Sequence, residues 1–490
     1  MKIRWTVALL VVGCGVSPDA DDPSPVDGVD GVDGGIPSTD AGPTSTPDAG
    51  TEPEPSLPPC ALDGGVGDAG LDCSAPSSCD QVTPVRDNAG VVVCDFWAAL
   101  PKARWIELRG THFMELAAPL IPPGKYLGNE KISAIVDAYS DPTYDEKREK
   151  AFFYGGGHND GTVNALVEFD LRRLTYALTI PPTPPIYYPP SYAAGNGGGG
   201  PGPLVYPSGA APGYFSSTLT DPLDLPYKAP QDAPGTTHIY GSSAMGSDGL
   251  IRYFYAQYRE VDVVAKKWSH LGDVDLGAQL DALDYSHEPL QQGTMAVYDA
   301  VTNRYFVTLV PGDAGINKRH ALIRFDPVTR KIEQPVIPVP TGSSMDLLIV
   351  GRKIYGFGSG QGYPNTDTSA GFAYDIDNGT VDRVLVVGDT YTIASSNTQE
   401  AAPSFYHPGL GKIVRWNYGA SVSSVYLLDL TPSGGAGTAA DPHKLQQTKI
   451  SVAGKPPNPV LNYRRLFFDT DIGVALVLPQ SNSNWFALKL

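Results

Sequence analysis

Lys150-Ala151-Phe152-Phe153-Tyr154-Gly155-Gly156-Gly157-His158-Asn159-Asp160 is an apolar strand running into a glycine turn; Asn164-Ala165-Leu166-Val167-Glu168-Phe169-Asp170 then returns as a strand ending in aromatic-Asp. Glycine tolerates backbone conformations closed to other residues, so the chain can reverse tightly after a buried strand. Similar strand–turn–strand units recur to the C-terminus. Repetition of such a unit predicts small sheets stacked radially about an axis.

Working outward, short aromatic and β-branched runs broken by Gly, Pro, Asn and Asp fill the chain after Cys94, and no long stretch has helical periodicity. An all-β body over 95–490 follows. The first unit runs from Ile132 through Tyr154 and Phe169-Asp170 to Tyr176. The second takes His238 to Met245, Ile251 to Tyr258 and Val261 to Trp268. Gly293 to Asp299, Tyr305 to Val310 and Ala321 to Asp326 form the third, and Met345 to Val350, Lys353 to Phe357 and Gly371 to Asp375 the fourth. The fifth holds Ser404 to His407, Lys412 to Asn417 and Val425 to Asp429. The sixth, Arg464 to Asp469, Gly473 to Leu478 and Trp485 to Leu490, ends after three strands. Arg104-Trp105-Ile106-Glu107-Leu108 has the pattern of the missing outer strand and is expected to close the ring without open edges. Six units are expected. The Pro/Gly/Tyr-rich stretch 181–235 is read as an insertion, because its prolines would break a ladder; a seventh unit there is the alternative.

These residues resemble the Kelch-like propellers, among them the central domain of galactose oxidase. The likeness rests on Tyr154-Gly155-Gly156-Gly157-His158, on Phe169-Asp170, and on the strand ends Phe325-Asp326, Tyr374-Asp375 and Leu428-Asp429. Gly356-Phe357-Gly358-Ser359-Gly360 is a partial echo, and the other units depart from the pattern. The resemblance implies a fold over 95–490 and no particular function. Galactose-oxidase chemistry would need a tyrosine cross-linked to a cysteine beside copper. No cysteine follows Cys94, so that cofactor is not expected, nor is any other.

The chain has 490 residues and a formal charge of −18. Fourteen acidic residues and no Lys or Arg lie in 15–80. Without 1–80 there remain 39 acidic and 33 basic residues, a net of −6. No clustered basic face is evident, which argues against nucleic acid as a partner. Lys2, Arg4 and the apolar run Trp5 to Gly13 read as an export signal over 1–14. Its end, Val11-Val12-Gly13-Cys14, resembles the lipobox of bacterial lipoproteins, which implies lipidation of Cys14 and a place in the cell envelope, at the outer membrane or cell surface. Residues 15–59 are too polar to bury a core and read as a disordered acidic tether. Cys60, Cys73, Cys79 and Cys94 are an even set in an exported chain, so a small segment over 60–94 with two disulfides is expected; three pairings are open.

In a propeller the connection after each second strand and the segment before each first strand emerge on one face. That rim collects His158, Asn159 and Asp160, then His238, Tyr240, Tyr258 and Arg259, then His287 and Glu288, and last Glu400, Asn417, Tyr418 and Arg464. Rings to stack on and paired donors for hydroxyls suit a sugar. Each residue also has a plainer role: His158 as a turn residue, Tyr258-Arg259 as a surface stack, Glu288 and Glu400 as solvated charges. The expected function is a non-catalytic, monomeric, lipid-anchored binder of a glycan or surface protein. The alternative is a lyase acting on uronate polysaccharides. Some propeller lyases use histidine and tyrosine as base and acid with an arginine at the substrate carboxylate, and His158, His238, Tyr240 and Arg259 are of those types.

Overall fold

The computed structural model describes residues 60–490 apart from 62–65, 68–69, 72–79, 85, 87–91, 93–95, 123–131, 138–139, 156–162, 164, 183–238, 240, 255–257, 270–273, 284–293, 310–319, 341–345, 359–368, 391–402, 419–422 and 458–464. The signal, the tether and the 181–235 insertion beyond Pro182 therefore lie outside the described residues. So do Cys14, Cys73, Cys79 and Cys94; Cys60 is described only as backbone.

Four short strands precede the main body: β1 (Cys60–Ala61), β2 (Val66–Gly67), β3 (Gly70–Leu71) and β4 (Gln81–Thr83). Among the described residues, β5 (Arg104–Leu108) is followed by six antiparallel meanders. The first is β6 (Thr143–Asp145), β7 (Lys150–Phe153), β8 (Leu166–Asp170) and β9 (Thr175–Ile180). The second is β10 (Ser243–Met245), β11 (Leu250–Tyr253), β12 (Arg259–Asp262) and β13 (Lys267–Ser269). β14 (Ala296–Asp299), β15 (Arg304–Leu309), β16 (Ala321–Asp326) and β17 (Lys331–Pro338) make the third. The fourth comprises β18 (Asp346–Val350), β19 (Lys353–Phe357), β20 (Ala370–Asp375) and β21 (Thr380–Gly388). β22 (Ser404–His407), β23 (Lys412–Tyr418), β24 (Ser423–Asp429) and β25 (His443–Ile450) make the fifth. The sixth is β26 (Leu466–Asp469), β27 (Val474–Val477) and β28 (Trp485–Lys489), completed by β5, which pairs with β28 through Leu108 and Trp485. β4 and β1 extend that sheet in parallel.

Packing follows the two-residue period of the strands, which sends neighbouring side chains to opposite faces. Phe152 packs toward the second meander with Ile251, Val261 and Trp268. Its neighbour Phe153 packs the other way, with Leu476 and Trp485 of the sixth. The same division recurs throughout. Phe254, Tyr305 and Phe325 lie between the second and third meanders, and Phe306, Leu347 and Phe372 between the third and fourth. Phe357, Val384, Ile413 and Leu445 lie between the fourth and fifth, and Val414, Trp416, Ala475 and Phe486 between the fifth and sixth. Among the described residues the apolar core is thus six slabs, each between consecutive sheets, and the last joins the sixth meander to the first.

The chain ends meet there. Tyr144 of β6 stacks on Phe467 of β26 at 4.3 Å between ring centres, and its hydroxyl donates to Asp469. The buried Trp485 donates from Nε1 to Tyr176 Oη at 2.8 Å, and Tyr176 donates to the Thr111 carbonyl at 3.2 Å. The first strands face a shared cavity of about 310 Å³ lined by Thr143, Ser243, Val297, Leu348 and Phe467, among others. This arrangement is β-propeller-like.

Three features differ from the sequence reading. First, Ala134–Asp137 is a helical turn with three buried apolar residues, so the first meander starts at Thr143 and not near Ile132. Second, every one of these sheets has an outer fourth strand, and those of the third to fifth meanders went unread in the sequence. β17, β21 and β25 are long and polar because only one of their faces is covered, which hides the apolar signal. Third, outer edges remain. β17 carries Pro335 and Pro338, as an edge strand can. Among the described residues only β21 and β25 join two meanders edge to edge, in parallel, fusing the fourth and fifth into one eight-stranded sheet. Gly388 permits that approach: a Cβ there would stand 2.5 Å from the Gln447 carbonyl oxygen.

Candidate functional site

The two ends of the meanders are built differently. At one end lie the tight hairpins, and a single local device closes them. Asp170, Asp262, Asp375 and Asp469 each end a strand and accept hydrogen bonds from the backbone N–H groups two and three residues on, at 2.8–3.0 Å. Asp299 does the same more loosely, through Val301 and Thr302. The fourth residue after the cap then takes a left-handed conformation: Leu174 (φ 50°), Lys266 (φ 55°), Asn303 (φ 53°), Gly379 (φ 69°) and Gly473 (φ 67°). Side chains that bond their own backbone two residues on set such turns. The aromatic-Asp strand ends in the sequence are these caps. In the fifth meander His407 replaces the aspartate, its Nδ1 accepting from Leu410 N at 3.2 Å.

From the opposite end leave the connections between second and third strands. The described residues there include a collar of buried polar groups: Ser140, Asp141, Ser242, Thr294, Asp346, Ser404 and Arg465. Most have partners. Arg465 donates to the carbonyls of Ser140 (3.2 Å) and Pro479 (2.7 Å). Ser404 donates to Asp346, and Thr143 and Ser243 join hydroxyls at 2.6 Å across two meanders. Arg415 donates to Gln447 Oε1 at 2.9 Å and lies over the Phe357 ring.

The sequence-derived candidates divide three ways. His158, Asn159, Asp160, His238, Tyr240, His287, Glu288, Glu400 and Arg464 lie outside the described residues. Tyr418 is described only as the last residue of β23, and Asn417 beside it is half-buried, its Oδ1 without a partner among the described residues. Tyr258 and Arg259 are the best defined, and neither is a surface stack. Tyr258 is 0 % exposed and packs against Phe254 and Phe325. Its hydroxyl donates to Glu260 and accepts from Arg252 Nε at 3.0 Å, and burial raises its pKa well above the ordinary phenol value. A ring committed in this way is core and offers no face to a ligand.

Arg252 was not legible as special in the sequence. It sits buried between the second and third meanders and reaches Glu260, Asp248 and the hydroxyls of Tyr258 and Tyr305, all at 2.7–3.0 Å. Two carboxylates and two phenols satisfy it. Arg259 is the opposite case. It starts β12 one residue after Tyr258, so the pleat turns it to the face toward the first meander, opposite Tyr253. At 3 % exposure its Nε and Nη1 have no hydrogen-bond partner among the described residues.

No protein-family model matches the chain, and no curated protein is significantly similar to it. Among the described residues no group of three or more His, Cys, Asp or Glu could hold a metal ion, and no helix is long and apolar enough to cross a membrane.

Proposed function

We propose that residues 95–490 form a six-bladed Kelch-like propeller that binds a glycan or surface-protein ligand at its loop end, without catalysis. The unequal construction of the two ends supports this reading. The hairpin end spends its carboxylates on capping its own turns. The loop end instead carries the collar of buried polar side chains, of which Asp141 lines the 310 Å³ cavity together with the hydroxyls of Thr143 and Ser243, the setting in which a ligand's polar groups find fixed partners. The six slabs of core and the pairing of β28 with β5 support the blade count. Lipid on Cys14 and the acidic tether 15–59 would hold the body off a bacterial membrane, with the disulfide segment 60–94 at its entrance.

A glycan array probed with the chain carrying Cys14→Ser tests the binding reading. Selective binding to one sugar class is expected, and a blank array refutes the glycan form of it. The lyase alternative depends on His158, His238, Tyr240 and Arg259 acting together. It predicts unsaturated-uronate absorbance on incubation with uronate polysaccharides; the binding reading predicts none.

A further inference from the structure

The hairpin end carries apolar side chains that its turns do not need. In seven hairpins among the described residues, the residue two places after the capping aspartate donates its N–H to that carboxylate, at 2.8–3.4 Å. These residues are Arg172, Val264, Val301, Val328, Asp377, Thr431 and Asp471. With the N–H turned inward the side chain stands at the tip, and all seven are exposed. The repeat thus supplies its own comparison. Four turns place a charged or hydroxyl side chain at this position, as suits a turn in water. The second and third meanders place valine there three times: Val264, Val301 and Val328 are 66, 76 and 72 % exposed. A stiff β-branched side chain gains nothing in such a turn, since its preference is for a packed, pleated strand.

The charges beside these valines are cationic. Lys266 and Lys267 follow Val264, Lys331 follows Val328, and all three lysines are exposed. The neighbouring carboxylates are engaged. Asp262, Asp299 and Asp326 accept from the N–H groups of their own turns, and Asp248 holds Arg252. Arg304 and Arg330 are paired with Glu333 and Glu260. Valine and lysine are what these tips show to solvent.

We propose that the hairpin tips of the second and third meanders dock on an anionic lipid surface, the valines sinking among the headgroups and the lysines meeting phosphate. Size decides against a protein partner. Three valines offer on the order of 100 Å² each, well short of the roughly 800 Å² per side that a stable protein interface buries. A bilayer needs no matching shape. Separate apolar tips enter it independently, and each lysine is drawn by the negative surface potential. The same position carries Asp377 in the fourth meander and Asp471 in the sixth, so those tips take no part. The inference stands apart from the loop-end reading, but it turns the loop end away from the membrane and toward the medium.

The test is sedimentation of the chain with vesicles. Cys14→Ser removes the lipid, and Leu9→Asp with Leu10→Asp silences the apolar run of the signal. Vesicles of equal parts phosphatidylglycerol and phosphatidylcholine should carry the protein down, more so at low salt, and phosphatidylcholine alone should not. Val264→Ser, Val301→Ser and Val328→Ser together should weaken binding about a hundred-fold, at about five-fold for each valine carried partway into the interface. Lys266→Gln, Lys267→Gln and Lys331→Gln together should weaken it by about the same factor and remove the salt dependence. All six sites are exposed, so both variants should melt with the parent; should either not fold, the other decides. Equal binding to both vesicle types, no sedimentation, or variants that sediment like the parent overturns the inference. Polyglutamate bound by the parent and lost with the lysines, without vesicle binding, assigns the tips to an acidic protein and overturns it as well. Valine-dependent sedimentation beside a blank glycan array leaves this inference standing and sinks the glycan reading, and the converse pair does the reverse.

Discussion

Replacing Trp485 by Ala probes ring closure at its centre. β28 lies between β27, from the end of the chain, and β5, from its beginning. Trp485 is 0 % exposed and stacks on Phe169 at 4.7 Å, with edge contacts to Phe153 at 5.8 Å and Phe467 at 5.7 Å. Removing a buried tryptophan costs about 3–5 kcal/mol through lost transfer energy and the cavity left behind. Its Nε1 bond to Tyr176 adds about 1 kcal/mol, and no more, because Tyr176 keeps its own bond to the Thr111 carbonyl. The expected loss is about 4–6 kcal/mol, measured by urea unfolding followed by far-UV circular dichroism and fluorescence together. The two probes should still coincide, since every sheet leans on its neighbours around the ring. Val301→Ala, at a site 76 % exposed in a hairpin tip, is the control and should change stability by less than about 0.5 kcal/mol. A loss below about 1 kcal/mol, or a separate early transition of the sixth meander, would refute closure through this residue.

Glu260→Ala should cost about 3–5 kcal/mol in the same assay, because it strands the buried Arg252 and the Tyr258 hydroxyl; loss within error would show that the network is slack. Acid should unfold the hairpin end first. Burial pushes the Asp299 carboxyl up, but bonds from Thr302 and Arg352 outweigh it and hold the pKa below the ordinary value, while backbone N–H groups led by Asn378 do so for Asp375. Both are depressed on folding, so their stabilisation is complete above the unfolded value of about 4 and is lost as pH falls below it. Asp299→Asn should flatten the loss of melting temperature between pH 5 and about 3. His407 is also depressed, chiefly by burial, and caps its turn only when neutral. Its contribution is present above about pH 6.5 and fades as pH drops, so His407→Asp should remove the slope between about pH 7 and 5 while keeping the turn. An unchanged slope would show that the ring is not the cap.

The inner three strands of each meander were legible because both their faces are buried and they read as short apolar runs ending in aromatic-Asp. Lys331-Ile332-Glu333-Gln334 and His443-Lys444-Leu445-Gln446 carry one covered face, and nothing in their composition separates them from loop. The site was legible as residue types at one end and not as burial. Tyr258 and Arg259 are adjacent in sequence, yet one enters the core between the second and third meanders and the other faces the first. Arg252 and Arg259 look alike in the chain; only the fold shows that one is surrounded by acceptors and that the other, buried, has two N–H groups without a hydrogen-bond partner among the described residues.

The parallel joint between β21 and β25 bears on how the protein opens to solvent. Outermost strands ordinarily lose their amide protons early, because local fraying exposes them without global unfolding. Here Val384 to Gly388 and His443 to Gln447 cover each other, and Gln447 is tied inward to Arg415 and to the Asp389 carbonyl. Their amides should exchange far more slowly than those of β9 or β17, and the fourth and fifth meanders should exchange as a single cooperative block. The rim of the molecule is therefore uneven in its breathing, with a locked sector spanning two of the six meanders and softer sectors elsewhere.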